Sequence, residues 1–279
     1  MASMFRRIAV LVAFMVAAAS AHAQSCSRSE LQALTADYFK AVENHDLSAL
    51  PTAADLRVTE NGQEMKAGQG LFQSGGKALL QRSLIDTERC GTVTEAVIEE
   101  TIGGTPTRSV MAVRLRVDRG KVREIETILT REAEAKNLFN LYSPTELLAT
   151  RDQDWTTPLP AEKRLTREFM NDGANRYFDA FAKHPPAMPP FATPCNRWEG
   201  GKHTTPTGDC MPKDLVLTHT HRRFPVTDVE LGITAGFINF NQSLPDVHIF
   251  KYNANGKIEL IQAVFGGRQA GVVWPDEKK

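Results

Sequence analysis

The densest run of reactive side chains lies late in the chain, where His219 and His221 alternate, Arg222 and Arg223 follow at once, and Asp228 and His248 come later. On a strand, residues two apart share a face, so His219 and His221 would present their imidazoles side by side. An imidazole titrating near neutrality is a proton shuttle, and an arginine turned inward binds an oxyanion or a phenolate. A His-x-His pair can also ligate zinc, but no third ligand follows at a metal-binding spacing, so a polar strand face is expected and no metal. Lys251 would be a Schiff-base nucleophile only if buried, and a surface lysine is the expectation. The chain has no G-x-G-x-x-G after a strand, no Walker loop, no G-x-S-x-G and no H-E-x-x-H, which argues against nucleotide cofactors and serine hydrolysis.

The elements that must hold these groups occur twice. The segment YFKAVENHDLSALPTAADLRVTENG from Tyr38 lies without a gap on YFDAFAKHPPAMPPFATPCNRWEGG from Tyr177, so that Tyr38 matches Tyr177, His45 matches His184, and Glu60 and Gly62 match Glu199 and Gly201. Later in each half a strand, turn and strand recur, from Met111 and from Val247, with Gly120 on Gly256 and Ile125 on Ile261. Met111, Val113, Leu115 and Val117 alternate as a half-buried strand does, and Asn255-Gly256 is a hairpin signal. A helix opens each half. In the first, Ser29 with Gln32 reads as its cap, and Leu31, Leu34, Tyr38 and Val42 form one apolar stripe; in the second, Phe169, Tyr177, Phe178 and Phe181 do comparable work. Between the halves, from about Glu132 to Arg164, a helical connector ending in a Pro-rich extended linker is expected. The organisation is thus an α+β domain over 24–149 followed by its copy over 150–279.

Residues 1–23 read as a secretory signal. Arg6 and Arg7 precede an apolar run from Ile8 to Ala19, and Ala21-His22-Ala23 supplies the cleavage triplet, giving a mature chain from Gln24 in the periplasm or outside the cell. That run is shorter than the ~18 to 20 residues of a spanning helix. With 33 basic and 33 acidic residues, there is no electrostatic case for nucleic acid or an anionic membrane surface. Four cysteines in an oxidising compartment favour disulfides. Of three possible pairings, spacing suggests Cys26 with Cys90 and Cys195 with Cys210, one bridge in each half.

The YFxAxxxxDxxAL run from Tyr38, the strand RVTENG from Arg57 and the closing hairpin ending in IETIL resemble the cone-shaped α+β barrel of the NTF2-like superfamily, which includes SnoaL-like cyclases, ketosteroid isomerase and scytalone dehydratase. The second half, with CNRWEGG from Cys195, RRFPVTDVELG from Arg222 and FKYNANGKIELIQAVF from Phe250, is similar to secreted tandem NTF2-like proteins. The resemblance implies two cones packed sheet against sheet as an intrachain pseudo-dimer, which could assemble further only as a homo-oligomer of such pairs. It also implies a pocket for a small hydrophobic ligand and chemistry without a cofactor. It places Tyr38 as oxyanion donor and Glu60 near the general base, with Tyr177 and Glu199 as the corresponding pair. The competing reading makes Tyr38 a core residue with a satisfied hydroxyl and Glu60-Asn61-Gly62 a solvated turn.

Two functions follow as expectations. One is an exported lyase, or an isomerase, that moves protons on a small aromatic hydroxylated compound such as a lignin-derived dimer. The other is a non-catalytic binding or assembly module. Converging ionisable groups in an apolar pocket would favour the first, and a filled cone the second.

Overall fold

The computed structural model describes residues 26–136, 140–181, 188–211, 216–217, 219–268 and 271–272. The expected signal segment, His184 and part of the approach to the second sheet lie outside them. For His219 and His221 only the backbone is described.

Helix α1 (Arg28–Glu43) is capped by Ser27, two residues before the expected Ser29. Ser27 accepts from the Glu30 amide, and the Glu30 carboxylate accepts from the Ser27 amide. The neighbouring Cys26, bonded to Cys90 and donating its amide to the Thr87 carbonyl, fixes the chain there and makes Ser27 the first free capping side chain. Six strands follow: β1 (Thr52–Glu60), β2 (Gln63–Met65), then, after the short helix α2 (Leu71–Ser74), β3 (Gly75–Asp86), β4 (Gly91–Ile102), β5 (Thr105–Asp118) and β6 (Lys121–Thr130). They form one sheet in the order β2-β1-β6-β5-β4-β3, antiparallel except for the parallel pair β1 and β6.

The chain then runs through α3 (Glu132–Lys136) and α4 (Pro144–Leu148) to the second opening helix, α5 (Arg167–Asp179). The second sheet comprises β7 (Phe191–Glu199), β8 (Lys202–His203), β9 (His219–Asp228), β10 (Ile233–Phe240), β11 (Leu244–Tyr252) and β12 (Ile258–Phe265), and repeats the order as β8-β7-β12-β11-β10-β9. The protein is two α+β cones in tandem, each an opening helix against a six-stranded mixed sheet of the same strand order.

Alternation along the strands builds three cores. Met111, Val113, Leu115 and Val117 face α1 in the first cone, while Val110 and Ala112 point the other way, into an apolar seam shared with Ala235, Phe237, Val247 and Ile249 of the second sheet. The third core packs Tyr177, Phe178, Phe250 and Tyr252 under α5. The cones therefore meet sheet to sheet, as an intrachain pseudo-dimer.

Their contact has the reciprocity of a two-fold interface. At the start of α1, Arg28 bonds both oxygens of Asp228 at the end of β9 (3.0 and 2.7 Å); at the start of α5, Arg167 bonds both oxygens of Asp86 at the end of β3 (2.7 and 2.9 Å). Asp228 also accepts from the Ile85 amide, and Asp86 from the Thr227 amide, each at 2.9 Å. The connector is held by both halves rather than being a free linker. Trp155 lies in the seam, Thr150 accepts from Arg82, and Leu159 donates to the Glu230 carbonyl. Ser143 bonds the Gly200 carbonyl, and a side chain at Gly200 would collide with the Leu141 carbonyl, so this turn of the second copy has glycine where the first has Asn61.

Register corrects the repeat at one place. Arg119 and Gly120 make a tight turn with both φ positive, opposite the pair Asp118 and Lys121. The corresponding loop in the second half is wider, since Tyr252 pairs with Ile258 after a bulge and the Asn253 side chain bonds the amides of Asn255 and Lys257. Strand β11 is therefore one residue out from the gap-free reading. Against the equivalent β12 positions, Asp246 and His248 occupy the places of Met111 and Val113. A one-residue slip exchanges the two faces of a strand, so this decides what points into the second cone.

Candidate functional site

Both disulfides pair as spacing suggested: Cys26–Cys90 with Cα atoms 5.3 Å apart and Cys195–Cys210 with Cα atoms 5.4 Å apart.

In the second cone five ionisable side chains converge. Tyr177 on α5 is fully buried and rings itself with Phe178, Phe181, Phe191, Phe250 and His248. Its hydroxyl accepts from Arg197 Nη1 at 3.2 Å, leaving its own proton free to donate. Burial raises the Tyr177 pKa, the Arg197 charge opposes this, and Glu199 and Asp246 reinforce it, so the phenol stays protonated at neutral pH. Arg197 keeps its charge because Tyr177 and Glu199 offset its burial, and its Nε lies 3.3 Å from the Glu199 carboxylate.

On β11, His248 is 2% exposed, with Nδ1 2.9 Å from Asp246 Oδ1, in contact but outside hydrogen-bond geometry. Neither of its ring nitrogens has a well-formed partner. Burial raises the Asp246 pKa, and His248 pulls it back. The strand beside His248 makes room for this packing: Gly236 stands opposite it, and a Cβ there would come within 2.8 Å of both Phe178 and Phe224. Phe178 then sits edge-on to the imidazole with ring centroids 5.3 Å apart.

The first cone is different inside. Tyr38 is equally buried, packed edge-to-face with Phe39 and Phe72. Its hydroxyl has no hydrogen bond of acceptable geometry, although the Thr127 side chain is placed to draw its pKa down against the rise that burial causes. Glu60 is at the mouth. It accepts from the Leu71 amide at 2.8 Å, capping α2, and from Arg131 at 3.0 Å. Arg131 also bonds Glu100, which takes further bonds from Ser74 and Ser109. Burial works against that carboxylate's charge, but these donors hold its pKa below the usual value. The turn after Glu60 is not solvated: Asn61 is 4% exposed and exchanges hydrogen bonds with the Leu129 backbone.

Two clefts, of ≈ 690 and ≈ 610 Å³, flank this mouth and share Ser74, Glu100, Thr101 and Thr107. Neither is lined by Tyr38, Tyr177 or His248.

The structure thus brings Tyr177, Glu199 and His248 together and keeps Tyr38 and Glu60 in the other cone. Asp228 and Arg223 lie in neither interior. Asp228 is the latch for Arg28, and Arg223 bonds Glu126 and covers the Phe237 ring at 4.8 Å, both in the seam. His219 is paired with Phe240 on β10. Lys251 bonds Glu259 at 2.8 Å. The sequence reading missed Arg197 and Asp246. The signal for Arg197 was present, since the gap-free repeat lays it on Val58 and an arginine replacing a core valine is conspicuous. Asp246 was hidden by the slip in β11.

The chain belongs to the family described as Domain of unknown function (DUF8021), whose model matches twice, over residues 24–129 and 163–265. No curated protein matches it. Among solved structures it is similar to AclR from Streptomyces galilaeus (18% identity, 42% of this chain and 89% of that one, TM-score 0.33). It is also similar to an LEH-like epoxide hydrolase from M. tuberculosis (16%, 37% and 84%, TM-score 0.30). A third is a protein of ketosteroid isomerase-like fold from Catenulispora acidiphila in complex with trimethylamine (16%, 36% and 86%, TM-score 0.27).

Proposed function

We propose that the protein is an exported lyase that needs no cofactor, moving protons on a small hydrophobic, aromatic hydroxylated compound of the kind a lignin-derived dimer represents, and that the second cone is the working copy. The observation that carries this is His248: a buried imidazole with no well-formed hydrogen bond, beside Asp246 and ring to ring with a tyrosine that holds a spare proton. Buried polar groups are ordinarily satisfied; here Nδ1 has only Asp246 beside it, at 2.9 Å, and Nε2 has no hydrogen-bond partner among the described residues, which supports a site that a substrate completes.

In this reading His248 takes a proton from the substrate carbon or hydroxyl, and Asp246 stabilises the imidazolium that results. Tyr177, held by Arg197, donates to the oxygen where negative charge develops. The phenylalanines around these groups suit contact with an aromatic ring, but they fill the cone and none of the described clefts reaches Tyr177 or His248, so a substrate enters only by displacing them. Glu199 neutralises Arg197. His219 and His221, at the start of β9, remain candidates for the entrance, while Tyr38, Glu60, Arg223 and Asp228 have structural roles. We place the signal at 1–23 and the domain boundary within the connector, near 150.

A second reading, a binding module without turnover, is favoured by the clefts at the first cone's mouth, which lie away from these groups. A spectral screen of aromatic diols, hydroxyketones and sugars without added cofactor separates the two. Turnover by the native protein, falling on the order of 100-fold or more in His248→Ala, is expected. Binding with no turnover by any screened compound, or equal rates in the variant, would remove the catalytic reading.

A further inference from the structure

Arg197 sits inside the loop that the second disulfide closes. We infer that the Cys195–Cys210 bridge is a positioning device for the Arg197–Tyr177 donor pair, an inference that rests on the second-cone reading. The loop is folded around this one residue, backbone and side chain together. The Arg197 amide donates to Thr205 Oγ1 (2.7 Å), its carbonyl accepts from the Thr204 amide (2.9 Å), its Nε donates to Thr204 Oγ1 (3.2 Å), and its Nη1 donates to the Cys210 carbonyl (3.3 Å) as well as to Tyr177.

The loop opens with the end of β7, which carries Arg197 and pairs with β12, but from Gly200 to Cys210 the only strand is the two-residue β8, so few ladder bonds hold the return. Its return to β7 is fixed by the bridge and by the Cys195 amide on the Gly208 carbonyl (2.8 Å). Both cysteines are fully buried. Without the covalent tie, the Cys210 carbonyl that orients the guanidinium loses its anchor to β7, and the guanidinium gains alternatives to the tyrosine.

The two copies support the assignment. At the position of Arg197 the first cone has Val58, which needs no orientation, and at the position of Cys195 it has Leu56. The first cone's own bridge lies elsewhere, tying the entry of α1 to the turn before β4. A disulfide encloses the arginine only in the copy that carries one.

The test compares two double variants, Cys195→Ala with Cys210→Ala and Cys26→Ala with Cys90→Ala, by NMR. The probes are 13Cζ-labelled tyrosine and the exchange of the Arg197 Nε–H with solvent. Loss of the second bridge should speed that exchange by about 10-fold or more and move the Tyr177 resonance, while loss of the first should lower Tm and leave both signals in place. If the Cys195/Cys210 variant does not fold, Thr204→Val with Thr205→Val, made with the bridge intact, should shift both signals in the same direction. Unchanged Arg197 and Tyr177 signals in the folded Cys195/Cys210 variant, or in the Thr204/Thr205 variant that stands in for it, would overturn the assignment. Neither readout needs a substrate, so absence of turnover would count against the enzyme reading alone.

Discussion

The two cones are built on the same plan and filled with opposite chemistry. Each holds a buried tyrosine from its opening helix and a glutamate at the end of its second-outermost strand, Tyr38 with Glu60 and Tyr177 with Glu199. Around these, Val58, Met111 and Val113 of the first cone are replaced in the second by Arg197, Asp246 and His248. Burying an arginine, a carboxylate and an imidazole costs free energy that three apolar side chains do not, unless every charge is paired and hydrogen-bonded. The first cone shows that the fold is satisfied by the apolar set. The second departs from it while leaving His248 without a well-formed partner, so the departure is not a packing requirement. Local rules that fail in one copy and hold in its twin support the proposal that the second cone holds the site.

Kinetics should separate the copies most sharply. Once a substrate is in hand, Tyr177→Phe should lower turnover on the order of 100-fold, as loss of a preorganised oxyanion donor does, and Tyr38→Phe should leave it near the native rate. Equal losses in both would mean that the first cone also works, and equal indifference would return both tyrosines to the core.

The seam provides the next largest effects, because there the copies are reciprocal yet unequally buried. The Arg167 side chain is 7% exposed and that of Arg28 26%. Arg167→Ala strands Asp86 and should cost about 3–5 kcal/mol. Arg28→Ala should cost clearly less, since water can reach the carboxylate it leaves. Urea denaturation of the two variants checks this, and a reversed order would contradict the burial argument.

A smaller effect comes from a pairing only one sheet makes. Arg82 faces Glu95 across β3 and β4, whereas Arg223 faces Phe237 across β9 and β10. Burial pushes the Glu95 pKa up to about 7 from its ordinary 4.5, with Arg82 opposing the rise. The folded protein therefore binds more protons than the unfolded chain between those values. Stability should be highest below about 4.5 on this account and fall as pH rises through about 7, by on the order of 3 kcal/mol. Glu95→Gln should flatten that part of the stability-pH curve. An unchanged slope would show that Glu95 is ionised throughout.

The repeat, the stripe of α1, the strand alternation and both disulfides were legible because each rests on local periodicity or on spacing along the chain; on α5 the stripe holds for Tyr177 and Phe178, whereas Phe169 is 45% exposed. The pair Tyr177 and Glu199 was legible for the same reason, being a copy of Tyr38 and Glu60. Asp228 and Arg223 could not be placed from the sequence, because a charged residue on a strand announces burial or function without saying which sheet face it stands on, and both stand in the seam. Asp246 was out of reach because the loop between β11 and β12 is one residue longer than its twin, and loop length is where repeats drift most freely. Arg28 and Arg167, reciprocal across the interface, were also unseen, since the contact between halves is a tertiary fact that neither half's pattern contains.

The smallest difference between the copies is the most direct test of what each tyrosine is for. In the first cone the Tyr38 hydroxyl is buried without a well-formed hydrogen bond; in the second, the Tyr177 hydroxyl accepts one from a charged guanidinium. Removing an unsatisfied buried hydroxyl relieves its desolvation, whereas removing a satisfied one forfeits a charge-assisted bond and leaves Arg197 short of an acceptor. Tyr38→Phe should therefore be neutral or stabilising by up to about 1 kcal/mol, and Tyr177→Phe destabilising by about 1–3 kcal/mol. Each keeps the ring and its aromatic contacts, so the sign reports the hydroxyl alone. Denaturant midpoints at constant m-value give the answer without any substrate. A loss on Tyr38→Phe would mean that its hydroxyl is bonded in solution, with Thr127 as the partner its position suggests, and that the first cone is better satisfied inside than its geometry shows.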